Sequence, residues 1–332
     1  MSNIAQKKPI MLPREAGILL VLIGVALVFE VAGWVIHGQS FIFNIERIYI
    51  IVLQMAIIGI MAVGVTQIIV MAGIDLSGGS IVAFAGLVAA SLAQASSAGE
   101  AVYPSLTDLP IILPLLVGLA IGAVLGLING SIIAITGIPP FIATLAMLVI
   151  ARGLARWYTS GKQVSFFTPE FASFGAGATP IWIFLGVVAV FHILMTRTLY
   201  GRRTYAIGSN ELAARMAGVN VGRHKVLVYS IAGLLYGLAA VIQTSRAETA
   251  QSGTGLMWEL DAISAVVIGG TSLMGGVGRV PGTVVGVLIL GVLTSGFTFL
   301  GINVFYIAIA KGVIVVAAVV ADRYRHRNKR AN

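Results

Sequence analysis

"IVMAGIDLSGGSIVAF", residues 69–84, sets one aspartate and three glycines between two strongly apolar runs. Asp75 is the only charged residue between Arg47 and Glu100. A charge at the centre of a bilayer costs about 2.5–3.5 kcal/mol on insertion scales. A break in a membrane helix also frees backbone groups that lipid cannot satisfy, so it survives only inside protein or beside a water-filled path. Asp75 or Ser77 can cap a helix that starts near Gly78, accepting its orphan amides. Capping is the plainer role for Asp75 and is preferred to direct contact with a transported molecule. In either case Asp75, Ser77, Gly78 and Gly79 are expected near the translocation path or its gate, with Asp75 reachable by water.

The rest of the chain fits a membrane setting. Of 332 residues, 58% are hydrophobic and only 10% are charged, against about 25% charged in a soluble domain. Apolar runs near twenty residues recur along the whole length, which indicates an all-α polytopic protein. Ten spans are predicted, over 17–36, 48–72, 79–95, 111–135, 139–156, 180–196, 226–244, 259–275, 281–300 and 303–321. The first run is too long for a signal-peptide core, which is about 7–15 residues, and reads as a retained span. The chain 1–332 reads as one transmembrane unit with no separate soluble domain.

Charge distribution sets the orientation. Residues 197–225 hold Arg197, Arg202, Arg203, Arg215, Arg223 and Lys225 against the single acid Glu211, and the tail 321–332 is likewise basic. Both, with the N-terminus, are expected in the cytoplasm. The net charge of +9 therefore belongs to membrane topology and not to nucleic acid binding. Trp34, Trp157, Trp182 and Trp258 all fall at outer span ends in this scheme, as expected of residues that favour the interface. Arg152, Arg156 and Lys162 disagree, because they fall near or on the outer side.

Two pairs of segments echo each other. Gly73–Gly79 and Gly270–Gly276 both fit G-x-x-L-x-G-G, and Gly137–Phe141 and Gly301–Phe305 both fit G-I-x-x-F. Paired glycine-broken segments mark transporters built from two related halves, so Thr271 and Ser272 are expected to serve as the companion break. The two pairs are offset by about one span, which leaves the sense of the repeat open. Glycines at 118, 122, 126 and 130, at 233 and 237, and at 282 and 286 recur every four residues. Small residues at that spacing let helices approach closely in lipid, and tight internal bundling is preferred to a subunit interface.

The cytoplasmic stretch GSNELAARMAGVNVGRHK, residues 208–225, carries its own helix signals. Asn210 suits the N-cap, Glu211 the first turn and Gly218 the left-handed C′ position. Leu212, Met216 and Val219 give the helix an apolar edge. A docking helix for a cytoplasmic partner, using Asn210, Glu211, Leu212, Arg215, Met216 and Gly218, is preferred to a helix resting on lipid headgroups. The chain carries no G-x-x-x-x-G-K-[ST] phosphate loop, no cysteine, and four histidines without metal-ligand spacing. No cofactor, metal site or catalytic constellation is expected, and an ATPase would have to lie on another chain. A secondary transporter using Asp75 and the mid-span Lys311 for ion coupling is the alternative, although a structural ion pair or a snorkelling side chain is the preferred role for Lys311.

AGIDLSGGS (72–80), PPFIATLAMLVIARGLA (139–155), YAIGSNELAARMAGVNVGRHK (205–225) and LDAISAVVIGGTSLMGGVGRVPGTVVG (260–286) resemble the permease subunits of ribose-type ABC sugar importers. Ser209 and Ala146 stand where that family often has glycine. The resemblance implies a pore built from two permease copies in the bacterial inner membrane, separate ATP-binding subunits below, a periplasmic sugar-binding protein above, and a monosaccharide or polyol as cargo. It also implies that 197–225 couples the permease to the ATPase.

Overall fold

A computed structural model describes residues 14–320 apart from positions 304, 315, 318 and 319. The N-terminal residues 1–13 and the basic tail 321–332, which entered the orientation scheme, lie outside the described residues. Helices account for most of the described chain: α1 (Arg14–His37), α2 (Ile45–Val70), α3 (Gly78–Leu92), α4 (Ile112–Thr136), α5 (Pro140–Tyr158), the short α6 (Pro169–Phe174), α7 (Thr179–Arg197), α8 (Leu199–Ser209), α9 (Glu211–Met216), α10 (Val221–Ala247), α11 (Trp258–Ile268) and α12 (Val280–Phe299), followed by α13 (Phe305–Ile314). Strands β1 (Val164–Ser165) and β2 (Thr249–Ala250) pair antiparallel into a small ribbon. Among the described residues, seven helices are long and apolar enough to cross a membrane: α1, α2, α4, α5, α7, α10 and α12.

Helix starts and stops follow local chemistry. Asn44 caps α2 by accepting from the Arg47 amide at 2.9 Å. Gly137, in the left-handed region at φ 70°, ends α4, and Pro140 opens α5 at the first-turn position where its missing N–H costs nothing. The predicted span 259–275 is corrected, because α11 stops at Ile268. Gly270 turns the chain at φ 87°, and Gly275 and Gly276 turn it again at 81° and 71°. Only glycine takes these angles without strain, so the remaining residues form a loop, 269–279, leading into α12.

The core forms around α2, whose residues from Met55 to Val70 are almost all buried. The glycine ladders pack internally, as expected. A Cβ on Gly122 would lie 2.2 Å from the Gly233 carbonyl oxygen, and one on Gly126 would lie 2.2 Å from that of Tyr229. The third ladder seats α12 on α11, with Gly286 against Ala265 and Gly282 against Gly269. Backbones this close exchange the hydrophobic drive, absent in lipid, for dispersion contacts.

The bundle has two distinct ends. At one, Phe299 closes α12 against His37, Phe41 and Arg47, and the β ribbon lies beside residues 93–95 at the end of α3. At the other, Val70 at the end of α2 meets Gly208 of α8 and Gly276. Both members of the G-x-x-L-x-G-G pair reach the same end, where Ala72 beside Gly73 meets Gly275 and Val70 meets Gly276. The G-I-x-x-F pair does not, since Gly137–Phe141 joins α4 to α5 near the α8–α9 end and Gly301–Phe305 follows α12 at the opposite one. One symmetry operation cannot relate both pairs.

Candidate coupling helix and the two broken helices

The helix α9 forms as its residues direct. The Asn210 side chain accepts from the Ala213 amide at 2.9 Å, and Gly218 holds φ 81° just past the end. Glu211 pairs with Arg215 at 2.7 Å and Lys225 at 2.8 Å, which ties the helix to the start of α10. Partial burial opposes ionisation of Glu211, but hydrogen bonds from Lys225 and Arg215 outweigh it and hold the carboxyl below its ordinary value. Leu212 and Met216 stand out from this polar frame at 71% and 84% exposure. Two large apolar side chains held outward on a capped, ion-paired helix are suited to fill a partner's cleft.

The first break lies between α2 and α3. Ser77 occupies the cap position of α3 but its side chain makes no capping bond. Asp75 instead fixes the preceding turn: its Oδ1 accepts from the Ser77 amide at 2.8 Å and the Ser77 hydroxyl at 2.6 Å, and its Oδ2 accepts from the Tyr236 hydroxyl at 3.2 Å. The Ser77 hydroxyl also accepts from Asn129 Nδ2 at 2.9 Å, and Thr144 bonds both the Leu76 amide and the Ile74 carbonyl. Side chains of α4, α5 and α10 thus satisfy groups of the break. Asp75 is 1% exposed and Ser77 fully buried, so the water-reachable position expected for Asp75 is not seen in this conformation. Gly79 is demanded by space, since a Cβ there would lie 2.1 Å from the Gly255 carbonyl oxygen, whereas one on Gly78 would meet the Tyr236 ring at 3.1 Å, a tight contact that a small side-chain shift could relieve.

The second break, 269–279, buries Thr271 and Ser272 as well. The Ser272 amide donates to the Val277 carbonyl and its hydroxyl accepts from the Met274 amide, closing the turn. The two breaks touch. The Gly276 amide donates to the Val70 carbonyl at 2.8 Å, and a Cβ on Gly275 would lie 2.7 Å from Ala72. Helix α8 locks onto the same junction: a Cβ on Gly208 would overlap the Val70 carbonyl, Tyr205 donates to the Gly278 carbonyl at 2.7 Å, and Tyr200 donates to Gln67. A cavity of about 250 Å³ remains between Ala72, Gly73, Asn210, Glu211 and Lys225. One contiguous set of contacts therefore joins α9, α8 and both breaks.

Sequence reasoning missed several contacts. Arg152, expected near the outer side of its span, is buried within α5. It is 8% exposed and donates to the carbonyls of Ser252 at 2.5 Å and Thr254 at 2.8 Å, while Lys162 makes an exposed pair with Glu100. Glu259, buried beside Gly79, and Asp261, which pairs with Lys311 Nζ at 3.0 Å, were both legible as acids in an apolar run. The Lys311 partner of Asp261 and the Gly79 neighbour of Glu259 lie on other elements and left no local signal. The hydroxyls of Tyr229 and Thr271, Asn129 Oδ1 and Glu259 Oε2 have no hydrogen-bond partner among the described residues.

Comparisons with known proteins agree on a family. The chain is 40% identical to the ribose import permease protein RbsC of Haemophilus influenzae, over 89% of this chain and 96% of that protein. It is 46% identical to the ribose import permease protein RbsC of Bacillus subtilis, over 81% and 82%. It is 35% identical to the galactose/methyl galactoside import permease protein MglC of Escherichia coli, over 99% and 100%. No solved structure matches the chain. Residues 47–320 match the family model described as branched-chain amino acid transport system / permease component, and the chain belongs to that family of permeases.

Proposed function

We propose that the chain is the membrane permease of an ATP-binding-cassette importer that carries a monosaccharide or polyol of the ribose and galactose class across the bacterial inner membrane. The observation that carries this reading is α9, a capped helix that holds Leu212 and Met216 outward on a chain without a phosphate loop of its own. A separate ATP-binding subunit docks there, using Asn210, Glu211, Leu212, Arg215, Met216 and Gly218. Its movement passes through α8 to the Val70–Gly208–Gly276 junction. The breaks at Asp75, Ser77, Gly78 and Gly79 and at Thr271 and Ser272 form the gate, as joints that move rather than as wall. The sugar class follows from the relatives' substrates.

In this reading the short helices α3, α11 and α13 complete ten passes with the long seven, and both termini face the cytoplasm. The α2–α3 and α11–α12 hairpins, which run in the same sense, are the related pair. A second copy completes the pore, a periplasmic binding protein docks at the β-ribbon end, and lipid covers the apolar face of α1. Ion coupling through Asp75 and Lys311 is not favoured, since Asp75 is held by Ser77 and Tyr236 and Lys311 by Asp261. The test is reconstitution with the candidate ATPase and binding protein. Copurification of the ATPase and uptake of ribose or galactose that requires ATP are expected; uptake driven by an ion gradient without ATP would refute the assignment.

A further inference from the structure

Between the β ribbon and α11, residues 251–257 (QSGTGLM) form neither helix nor strand. Their depth follows from what holds them. Arg152, which anchors Ser252 and Thr254, lies six residues below the end of α5, about 9 Å down at 1.5 Å per residue. Gly255 packs backbone to backbone on Gly79, which lies 13 residues, about 20 Å, below the end of α3. The segment thus descends from the ribbon end to the middle of the bundle. Trp258 follows at that depth, so it does not mark an outer span end as expected.

Gln251 and Gly253 are exposed on this descent, and the amides of Gly253 and Gly255 have no hydrogen-bond partner among the described residues. Leu256 and Met257 continue the exposed face, which therefore passes from polar to apolar with depth. Irregular backbone at membrane depth cannot face lipid; it is tolerated only where protein covers it or where it lines a water-filled cavity. The anchoring cation is itself buried, with Glu259 close enough to attract it electrostatically, so the strap is held firmly in place.

We infer that Gln251–Met257 is a re-entrant strap lining the aqueous translocation path, where the free Gly253 amide and the Gln251 and Thr254 side chains meet the hydroxyls of an uncharged polyhydroxylated solute, and that Arg152 is its positioning residue. The inference rests on the permease reading and adds the wall of the path to it.

The chain has no cysteine, so a single introduced thiol is a unique probe. A Cβ at Gly253 meets nothing within 4 Å, so Gly253→Cys fits without displacing a neighbour, and its uptake before modification is the baseline for the labelled state. In the assembled transporter in membrane vesicles, a charged methanethiosulfonate reagent should modify it at least about tenfold faster than Val149→Cys on the apolar face of α5, because only a wetted thiol reacts. Modification should block uptake. Adding Arg152→Gln should change the Gly253→Cys rate while the ATPase still copurifies; an unchanged rate would overturn the anchoring role. Labelling no faster than at Val149→Cys, with and without ATP, would overturn the strap. So would an unreactive thiol that oxidation cross-links to a second copy, or modification that leaves uptake intact. Failure of the ATPase to copurify would count against the permease reading alone, since the Gly253→Cys and Val149→Cys rates can then be compared in vesicles that hold the permease by itself.

Discussion

Asp75 accepts three hydrogen bonds while almost fully buried. Asparagine at this position keeps an oxygen for Ser77, and the Tyr236 hydroxyl can turn to accept from its amide. Leucine leaves the Ser77 amide and the Tyr236 hydroxyl unpaired and the Ser77 hydroxyl proton without an acceptor, each at a cost of about 1–3 kcal/mol, although Asn129 still donates to the Ser77 oxygen. Asp75→Asn is therefore expected to keep most transport and a thermal midpoint near that of the parent in detergent. Asp75→Leu should lower the midpoint by several degrees and abolish uptake. Equal midpoints for Leu and the parent would show that the network contributes no stability. The aspartate and its glycines were readable because each breaks a local rule for membrane helices. Its partners Tyr236, Asn129 and Thr144 were not, because they sit in ordinary helical runs and only the packing of α4, α5 and α10 brings them in.

The helices themselves show where local pattern stops deciding structure. The glycine ladders on α4, α10 and α12 were legible from spacing, and their partners are those helices and α11. Gly122→Ala forces a Cβ to 2.2 Å from the Gly233 carbonyl, and overpacking of this kind costs about 1–3 kcal/mol. Gly186→Ala on α7 meets nothing within 4 Å and should be neutral, or stabilising by up to about 1 kcal/mol through helix propensity. Thermal midpoints of the two variants measured side by side check this, and equal losses would contradict it. The early end of α11 was hidden because hydropathy runs on through Gly269 and does not register a left-handed φ. The depth of residues 251–257 was hidden for a related reason: their polarity reads as an outer loop, and only Arg152 and Gly79 carry them inward. For α9, the Glu211 carboxyl is held below its ordinary value. Its ion pairs are therefore intact above the usual carboxylate range and lost only as pH falls through the depressed value. Hydrogen-exchange protection of 208–225 should be flat, after correction for intrinsic exchange, between about pH 6 and 8, and a loss of protection within that window would contradict the pairing.

At the scale of the whole molecule, the helices alternate in direction, and the end that carries α9 is opposite the end that carries the β ribbon. Cysteines at Ser97 and Ser209, both exposed, should accordingly label from opposite sides of the membrane, with Ser97 outside; labelling of both from one side would end the ten-pass scheme. Under the proposed function, the contacts from α9 through α8 to Val70 and Gly276 would carry movement from a cytoplasmic motor to the two broken helices. Replacing an apolar anchor at such a docking face can cost more than about 2 kcal/mol of binding. The most direct test of this route measures ATP hydrolysis and sugar uptake together in proteoliposomes carrying Leu212→Asp with the ATPase and binding protein. The expected result is that the variant inserts normally but either releases the ATPase or hydrolyses ATP without uptake. Uptake coupled to hydrolysis at the parent ratio would contradict the assignment of α9 as the coupling helix.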